Sequence, residues 1–232
     1  MTHPPPQRPD DDPQREPWLD QQEKSRTTYN RMSRVYGWLS DASEREFVEQ
    51  AVAGLLRPQP GDWILEPGFG TGQVLLALAE AVGPEGHVAG IDISDGMLKR
   101  AQERLEKHAL AQRADVRRGS ATDLPWDAAT FDGVFMSFTL ELFPDDQIPA
   151  VLTEVHRVLK GSGRLCVACM SDQGPDNTME HLYRWSHRHF PNAVDCRPID
   201  APRRLRDAGF TVTATRRLSM WGLAVDLVLA EP

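Results

Sequence analysis

Asp62-Trp63-Ile64-Leu65-Glu66-Pro67-Gly68-Phe69-Gly70-Thr71-Gly72 passes from a short apolar run through an acid into a glycine-dense loop. An apolar helical pattern, Val74 to Val82, follows directly. A buried strand that ends in a tight turn and opens a helix is the ligand-binding corner of an open α/β sheet. Glycines in that turn can take positive φ and let backbone come close to a ligand. Glu66 falls at the carboxyl end of the strand, where such sheets bind their ligands.

On either side of this corner, helical and strand patterns alternate. The first strand is expected over 62–65 and its helix to about Val82, with a turn at Gly83-Pro84-Glu85-Gly86. His87–Asp92 reads as strand two. Ser94 caps a helix from Gly96 to about Ala109, with Met97, Leu98, Ala101 and Leu105 facing inward. Ala114–Arg118 is a third strand, and Phe131–Phe138 an apolar fourth. Asp145 and Asp146 open a helix that runs through Leu159. Lys160-Gly161-Ser162-Gly163 turns it into strand five, Arg164–Met170. This alternation predicts a doubly wound α/β fold with a seven-stranded, mostly parallel sheet. Its antiparallel edge comes from the last two segments, 210–217 and 221–230, which follow a helix over 200–208.

Residues 1–17 are rich in proline and charge and read as a disordered tail. The rest, 18–232, reads as one domain. Within it, 18–58 forms an N-terminal helical cap. Tyr29 to Leu39 has helical spacing, and Ser43 to Leu55 is a second amphipathic helix stopped by Pro58 and Pro60-Gly61. Residues 171–197 break the α/β rhythm, being rich in His, Trp, Tyr, Asn and Pro, and form a variable insertion on the substrate side.

A chain of 232 residues with formal net charge −8 is long enough for a sizeable core and has no general affinity for nucleic acid. Arg203, Arg204 and Arg206, like Arg216 and Arg217, read as solvated surface arginines. Three cysteines suggest a reducing compartment. No run is apolar enough to span a bilayer, and no secretory core opens the sequence, so the expected location is cytoplasmic.

The glycine loop discriminates between ligands. A dinucleotide site needs G-x-G-x-x-G, but the third position holds Gln73 or Leu75, depending on the register. No Gly-Lys-Ser/Thr follows, which excludes a P-loop. The pattern is E-x-G-x-G-x-G. An acid before the loop repels a pyrophosphate and suits a ligand that carries an ammonium group.

Four ordered stretches carry a family resemblance: Ile64 to Gly72; Gly90-Ile91-Asp92-Ile93-Ser94 with Met97-Leu98; Gly119 to Trp126 before Phe131-Asp132; and Glu154-Val155-His156-Arg157-Val158-Leu159-Lys160-Gly161-Ser162-Gly163. With them the chain resembles the class I S-adenosylmethionine (SAM)-dependent methyltransferases, and closely the ubiquinone/menaquinone C-methyltransferase (type 11) subgroup, over about 29–170.

The resemblance implies SAM as cofactor and a role for each matching residue. Glu66 would lie near the methionyl ammonium. Gly68, Phe69, Gly70 and Gly72 would pass under the methionine and ribose. Asp92 would take the two ribose hydroxyls, which suits a carboxylate's capacity for two hydrogen bonds. Ile93 would pack on the adenine, with Met97 nearby. The family has an acid where this chain has Ser120, so the adenine amino group is left to Ser120 or Asp123, and the backbone of Ala121 serves a ring nitrogen. Ser137, Phe138 and Thr139 would lie over the methyl group. Tyr29 and Tyr36 match the subgroup's first helix, which closes the cofactor pocket.

Methyl transfer from a sulfonium needs positioning and exclusion of water more than a dedicated base. The catalytic residue is therefore not readable from the sequence. Candidate bases are His181, His187, His189 and Tyr183, with Asp172, and Trp185, Phe190 and Trp221 suit a flat or apolar acceptor. Cys166 and Cys169 lie on a strand with their side chains on opposite faces, which argues against a metal or redox pair. His187, His189, Asp195 and Cys196 match no tight zinc pattern, so no metal is expected. The expected function is SAM-dependent methylation of a small molecule, an aromatic or quinone-like ring first. The alternatives are a lipid headgroup amine or other small nucleophile, a non-catalytic SAM-binding protein, and an NAD(H) oxidoreductase, which the missing third glycine disfavours.

Overall fold

The structure is a computed structural model that describes residues 48, 50–173, 197–220 and 222–232. Seven strands form one sheet: β1 (Trp63–Pro67), β2 (His87–Asp92), β3 (Ala114–Arg118), β4 (Phe131–Ser137), β5 (Leu159–Met170), β6 (Thr211–Met220) and β7 (Leu223–Glu231). Their spatial order is β3-β2-β1-β4-β5-β7-β6. The first five strands pair in parallel, and β7 runs antiparallel to both β5 and β6. The antiparallel strand thus lies inside the sheet, and β6 forms the edge.

Among the described residues four α-helices flank the sheet: α1 (Gln73–Ala81), α2 (Asp95–Lys107), α3 (Ile148–Val158) and α4 (Ala201–Asp207). On one face Val74, Leu75 and Leu78 of α1 and Met97, Ala101 and Leu105 of α2 pack together with Val52 and Leu55. On the other, Ile148, Val151, Leu152 and Val155 of α3 pack with Ala201 and Leu205 of α4. Successive strand residues alternate between these two cores. Cys166 belongs to the first and Cys169 to the second, as the odd spacing required. Burial pushes the Cys166 thiol up to about 12 and raises Cys169 well above its ordinary value, so neither is a ready nucleophile.

Several boundaries differ from the sequence reading. Strand one continues through Glu66 and Pro67, which pair with Gly90 and Ile91. Pro67 donates nothing to the ladder, but the Gly68 N–H restores it by donating to the Ile91 carbonyl at 2.7 Å. β5 begins at Leu159, and the expected turn at 160–163 is a slip inside it: Phe131 pairs with Leu159, but Gly133 pairs with Arg164. α3 starts at Ile148 with Gln147 at its N-cap, not at Asp145. The described end of the helix before β1 closes as a π-helical turn, Val52–Leu56, with Arg57 left-handed (φ 51°) ahead of Pro58.

Ser94 caps α2 as read, its hydroxyl accepting from the Met97 N–H at 3.3 Å. At the other end Ala109 is exposed and left-handed (φ 57°), a position where alanine is strained and glycine is not. Ala109→Gly is expected to stabilise the fold by roughly 0.5–1 kcal/mol, raising Tm by about 1–4 °C. Thermal unfolding checks this, and a lower Tm would refute it.

Candidate active site

The carboxyl ends of β1, β2 and β4 meet at one edge of the sheet. Here Gly68, Gly70 and Gly72 all have positive φ (73°, 52° and 77°). Only the middle one opens on space. A Cβ on Gly70 would meet nothing within 4 Å, whereas one on Gly68 would lie 2.3 Å from the Thr139 side chain and one on Gly72 2.9 Å from Ala101. Gly68 lets β1 pass against the end of β4, and Gly72 seats α1 on α2.

Asp92 ends β2 and organises the loop. Its Oδ2 accepts from the Gly70 N–H at 3.0 Å, and its Oδ1 from the Ser94 N–H at 2.9 Å. A carboxylate has about four lone-pair sites, so roughly two remain for further donors. Burial raises its carboxyl above the ordinary range, against the pull of these two backbone hydrogen bonds. Glu66, one strand over, is buried at 1% exposure. A buried acid beside a glycine turn suits a ligand ammonium. Open space at Gly70, free acceptor capacity on Asp92 and a buried acid at Glu66 together fit a nucleoside that carries an amino acid.

The other proposed contacts divide. Ile93 is half-buried at the end of β2, and Ser137 half-buried at the end of β4. Phe69 turns into the core, where its ring fills the space that a side chain at Gly90 would need. Met97 is likewise a core residue, 4% exposed. The Ser120 hydroxyl lies 2.8 Å from that of Thr122 and also accepts from the Thr122 N–H. Ala121 is buried, and the suggested substitute Asp123 is exposed.

Residues 119–126 are braced from both sides. Arg157 donates to the carbonyls of Trp126 and Leu124 at 2.7 and 2.8 Å while paired to Glu154. Glu154 in turn accepts from the Leu124 N–H at 2.9 Å. From β3, Arg117 stacks 5.0 Å over the Trp126 ring, and Asp115 accepts from its indole N–H. The acid and arginine of the fourth motif therefore hold the third motif in place.

Beyond β4 the sequence reading named Thr139 but missed Glu141. Thr139, 5% exposed, seats its side chain against Gly68. Glu141, in the 3-10 turn Leu140–Leu142, is 1% exposed and accepts from the Met170 N–H at 3.2 Å. Burial pushes its carboxyl up to about 8, opposed by backbone N–H groups and by Arg197. Phe138, directly before Thr139, is left-handed (φ 49°), a strained conformation for a bulky residue.

Tyr29, Tyr36, His181, Tyr183, Trp185, His187, His189, Phe190 and Trp221 lie outside the described residues, as do Asp195 and Cys196. Asp172 is described and exposed. The arginine clusters are largely paired: Arg197 and Arg204 with Asp145, Arg203 with Asp207, and Arg217 with Asp226. Among the described residues no acidic, His or Cys group could hold a metal ion, and no helix is long and apolar enough to cross a membrane.

Residues 64–163 match the family model of a methyltransferase domain. A demethylmenaquinone methyltransferase from Symbiobacterium thermophilum is 40% identical over 120 residues, covering 52% of this chain and 45% of that protein. One from Listeria welshimeri is 35% identical over 154 residues, covering 66% and 61%. This chain therefore spans less than two thirds of either relative. A SAM-dependent methyltransferase from Aquifex aeolicus superposes with a TM-score of 0.66 at 23% identity, over 87% of this chain and 97% of that one. The cyclase SpnF does so with a TM-score of 0.67 at 18% identity, over 92% and 95%. A cyclase on this fold shows that the fold alone does not fix the reaction. Residues 64–163, which match a methyltransferase domain, carry the glycine cradle and the Asp92 carboxylate, and the fold is shared with a solved SAM-dependent methyltransferase.

Proposed function

We propose that this chain transfers a methyl group from SAM to a carbon of a quinone-like aromatic ring in its reduced, hydroxylated form. The cofactor half of this reading is carried by Asp92, whose two oxygens fix the loop and still have capacity for two hydroxyls. The acceptor half is carried by similarity to proteins named demethylmenaquinone methyltransferase.

Bound SAM supplies an electrophilic methyl group on a positively charged sulfur. The protein's task is placement. Glu66 balances the ammonium, Asp92 orients the ribose, and the braced 119–126 loop walls the adenine side. Thr139 and Ser137, at the end of β4, border the space where an acceptor approaches. Holding the acceptor at near-attack distance and keeping water out provides most of the catalysis.

Calorimetry with SAM and with S-adenosylhomocysteine is expected to show saturable binding of both. Turnover is expected on a reduced naphthoquinone lacking the ring methyl. Absence of binding to either nucleoside would sink the reading. Binding without turnover on any acceptor would identify a non-catalytic SAM-binding protein. Turnover confined to headgroup amines or other small nucleophiles would move the acceptor to that class.

A further inference from the structure

We propose that Glu141 is the acid–base residue for the acceptor: its carboxylate takes the proton of the ring hydroxyl as the ring carbon takes the methyl group. This rests on the C-methylation reading above.

Phe138 N–H donates to the Ala168 carbonyl at 2.8 Å, and there the β4–β5 ladder ends. The next β5 donor, Met170 N–H, goes to Glu141 Oε1. The carboxyl therefore sits beyond the carboxyl ends of β4 and β5, next to the switch point between β1 and β4 where open α/β sheets bind ligands. It is two residues beyond Thr139, which touches the glycine cradle.

The second observation is an unused atom. Glu141 Oε2 is buried and has no hydrogen-bond partner among the described residues. Buried polar atoms are nearly always satisfied, and exceptions cluster where a ligand or catalytic role completes them. Capping the Met170 N–H needs one oxygen only, and a glutamine would serve.

The charges facing this group set its proton affinity. Arg197, whose Nε donates to the Glu141 carbonyl at 3.3 Å, favours the carboxylate. Cys169 on β5 is close enough for Glu141 to raise its thiol, together with Asp172, Asp200 and Asp226. A carboxyl raised to about 8 is poised to exchange protons near neutrality.

The hydroxyl O–H bond breaks, and its proton passes to Glu141. The ring carbon forms a bond to the methyl group, and the electron pair of the broken S–CH3 bond stays on sulfur. The ring carbon then loses its hydrogen as a proton to water, and Glu141 returns its proton to the ring oxygen. One proton is released per turnover.

Wild-type kcat is expected to rise with pH through about 8 as the carboxylate forms. Glu141→Gln should lower kcat about 100- to 10,000-fold and remove that limb. S-adenosylhomocysteine affinity should stay within about twofold of wild type, and Glu141→Asp should restore part of kcat. Unchanged kcat and pH profile in Glu141→Gln overturns the proposal, as does a parallel loss of nucleoside affinity. If wild type binds SAM but methylates no acceptor, the functional reading fails separately. Glu141 is then judged by infrared difference spectra of the S-adenosylhomocysteine complex. Adding naphthol as a phenol probe should shift a protonated-carboxyl band that Glu141→Gln lacks, and an unshifted band overturns the assignment.

Discussion

Asp92→Ala is expected to lower affinity for S-adenosylhomocysteine by about 100- to 10,000-fold while the chain stays folded. Two charge-assisted hydrogen bonds to ribose hydroxyls are worth about 1.5–3 kcal/mol each, and each 1.4 kcal/mol is tenfold. The substitution also removes the acceptors of the Gly70 and Ser94 N–H groups, so the loop loses its shape with its ligand contacts. pH gives a second handle. Burial raises the Asp92 carboxyl, and the protonated form can no longer accept as a charged group at both oxygens. Affinity should therefore be full above its folded pKa and decline as pH falls through it, starting higher than for an ordinary aspartate. Calorimetry across pH, with circular dichroism to confirm folding, measures both. Binding by Asp92→Ala within threefold of wild type would show that Asp92 does not hold the ribose.

Gly68→Ala and Gly70→Ala should separate stability from binding, although both residues are glycines of one loop with positive φ. Each alanine incurs about 1–2 kcal/mol of left-handed strain. At Gly68 the new Cβ also lies 2.3 Å from Thr139 Cγ2 and 2.4 Å from its Oγ1, a side chain buried at 5% exposure. Overpacking adds about 1–3 kcal/mol, for a total near 2–5 kcal/mol and a Tm loss of roughly 4–20 °C. At Gly70 the Cβ meets nothing within 4 Å, so the Tm loss stays at the strain alone, about 2–8 °C. That methyl group instead occupies the open side of the loop. Gly70→Ala should therefore lose cofactor affinity by more than its stability loss accounts for. If Gly70→Ala binds S-adenosylhomocysteine normally, the open side of Gly70 is not the ligand side.

Local rules made the cofactor corner legible. Glycines that need positive φ, an acid at a strand end and a serine cap are each demands of a few adjacent residues. The strands His87–Asp92 and Ala114–Arg118 accordingly fall where the sequence puts them. Long-range contacts were not legible. Glu141 gains its meaning from the Met170 N–H, 29 residues away. Glu154 and Arg157 read as motif residues, but their task, gripping Leu124 and Trp126, is visible only in space. Phe69 and Met97 have the apolar character of cofactor neighbours and of core alike, and packing put them in the core. The slip inside β5 hid behind Gly161-Ser162-Gly163, which spells a turn whether or not pairing resumes beyond it.

The position of β7 bears on how the protein is made. β7 follows β6 in the chain but lies between β5 and β6 in the sheet. A ribosome therefore delivers β6 before the strand that must separate it from β5. Until Leu223–Glu231 emerges, β5 presents Leu165, Cys166, Val167 and Ala168 along an unpaired rim. Such a rim is a template for pairing with another nascent chain. A chain that lacks Leu223–Glu231 is thus expected to expose this rim of β5.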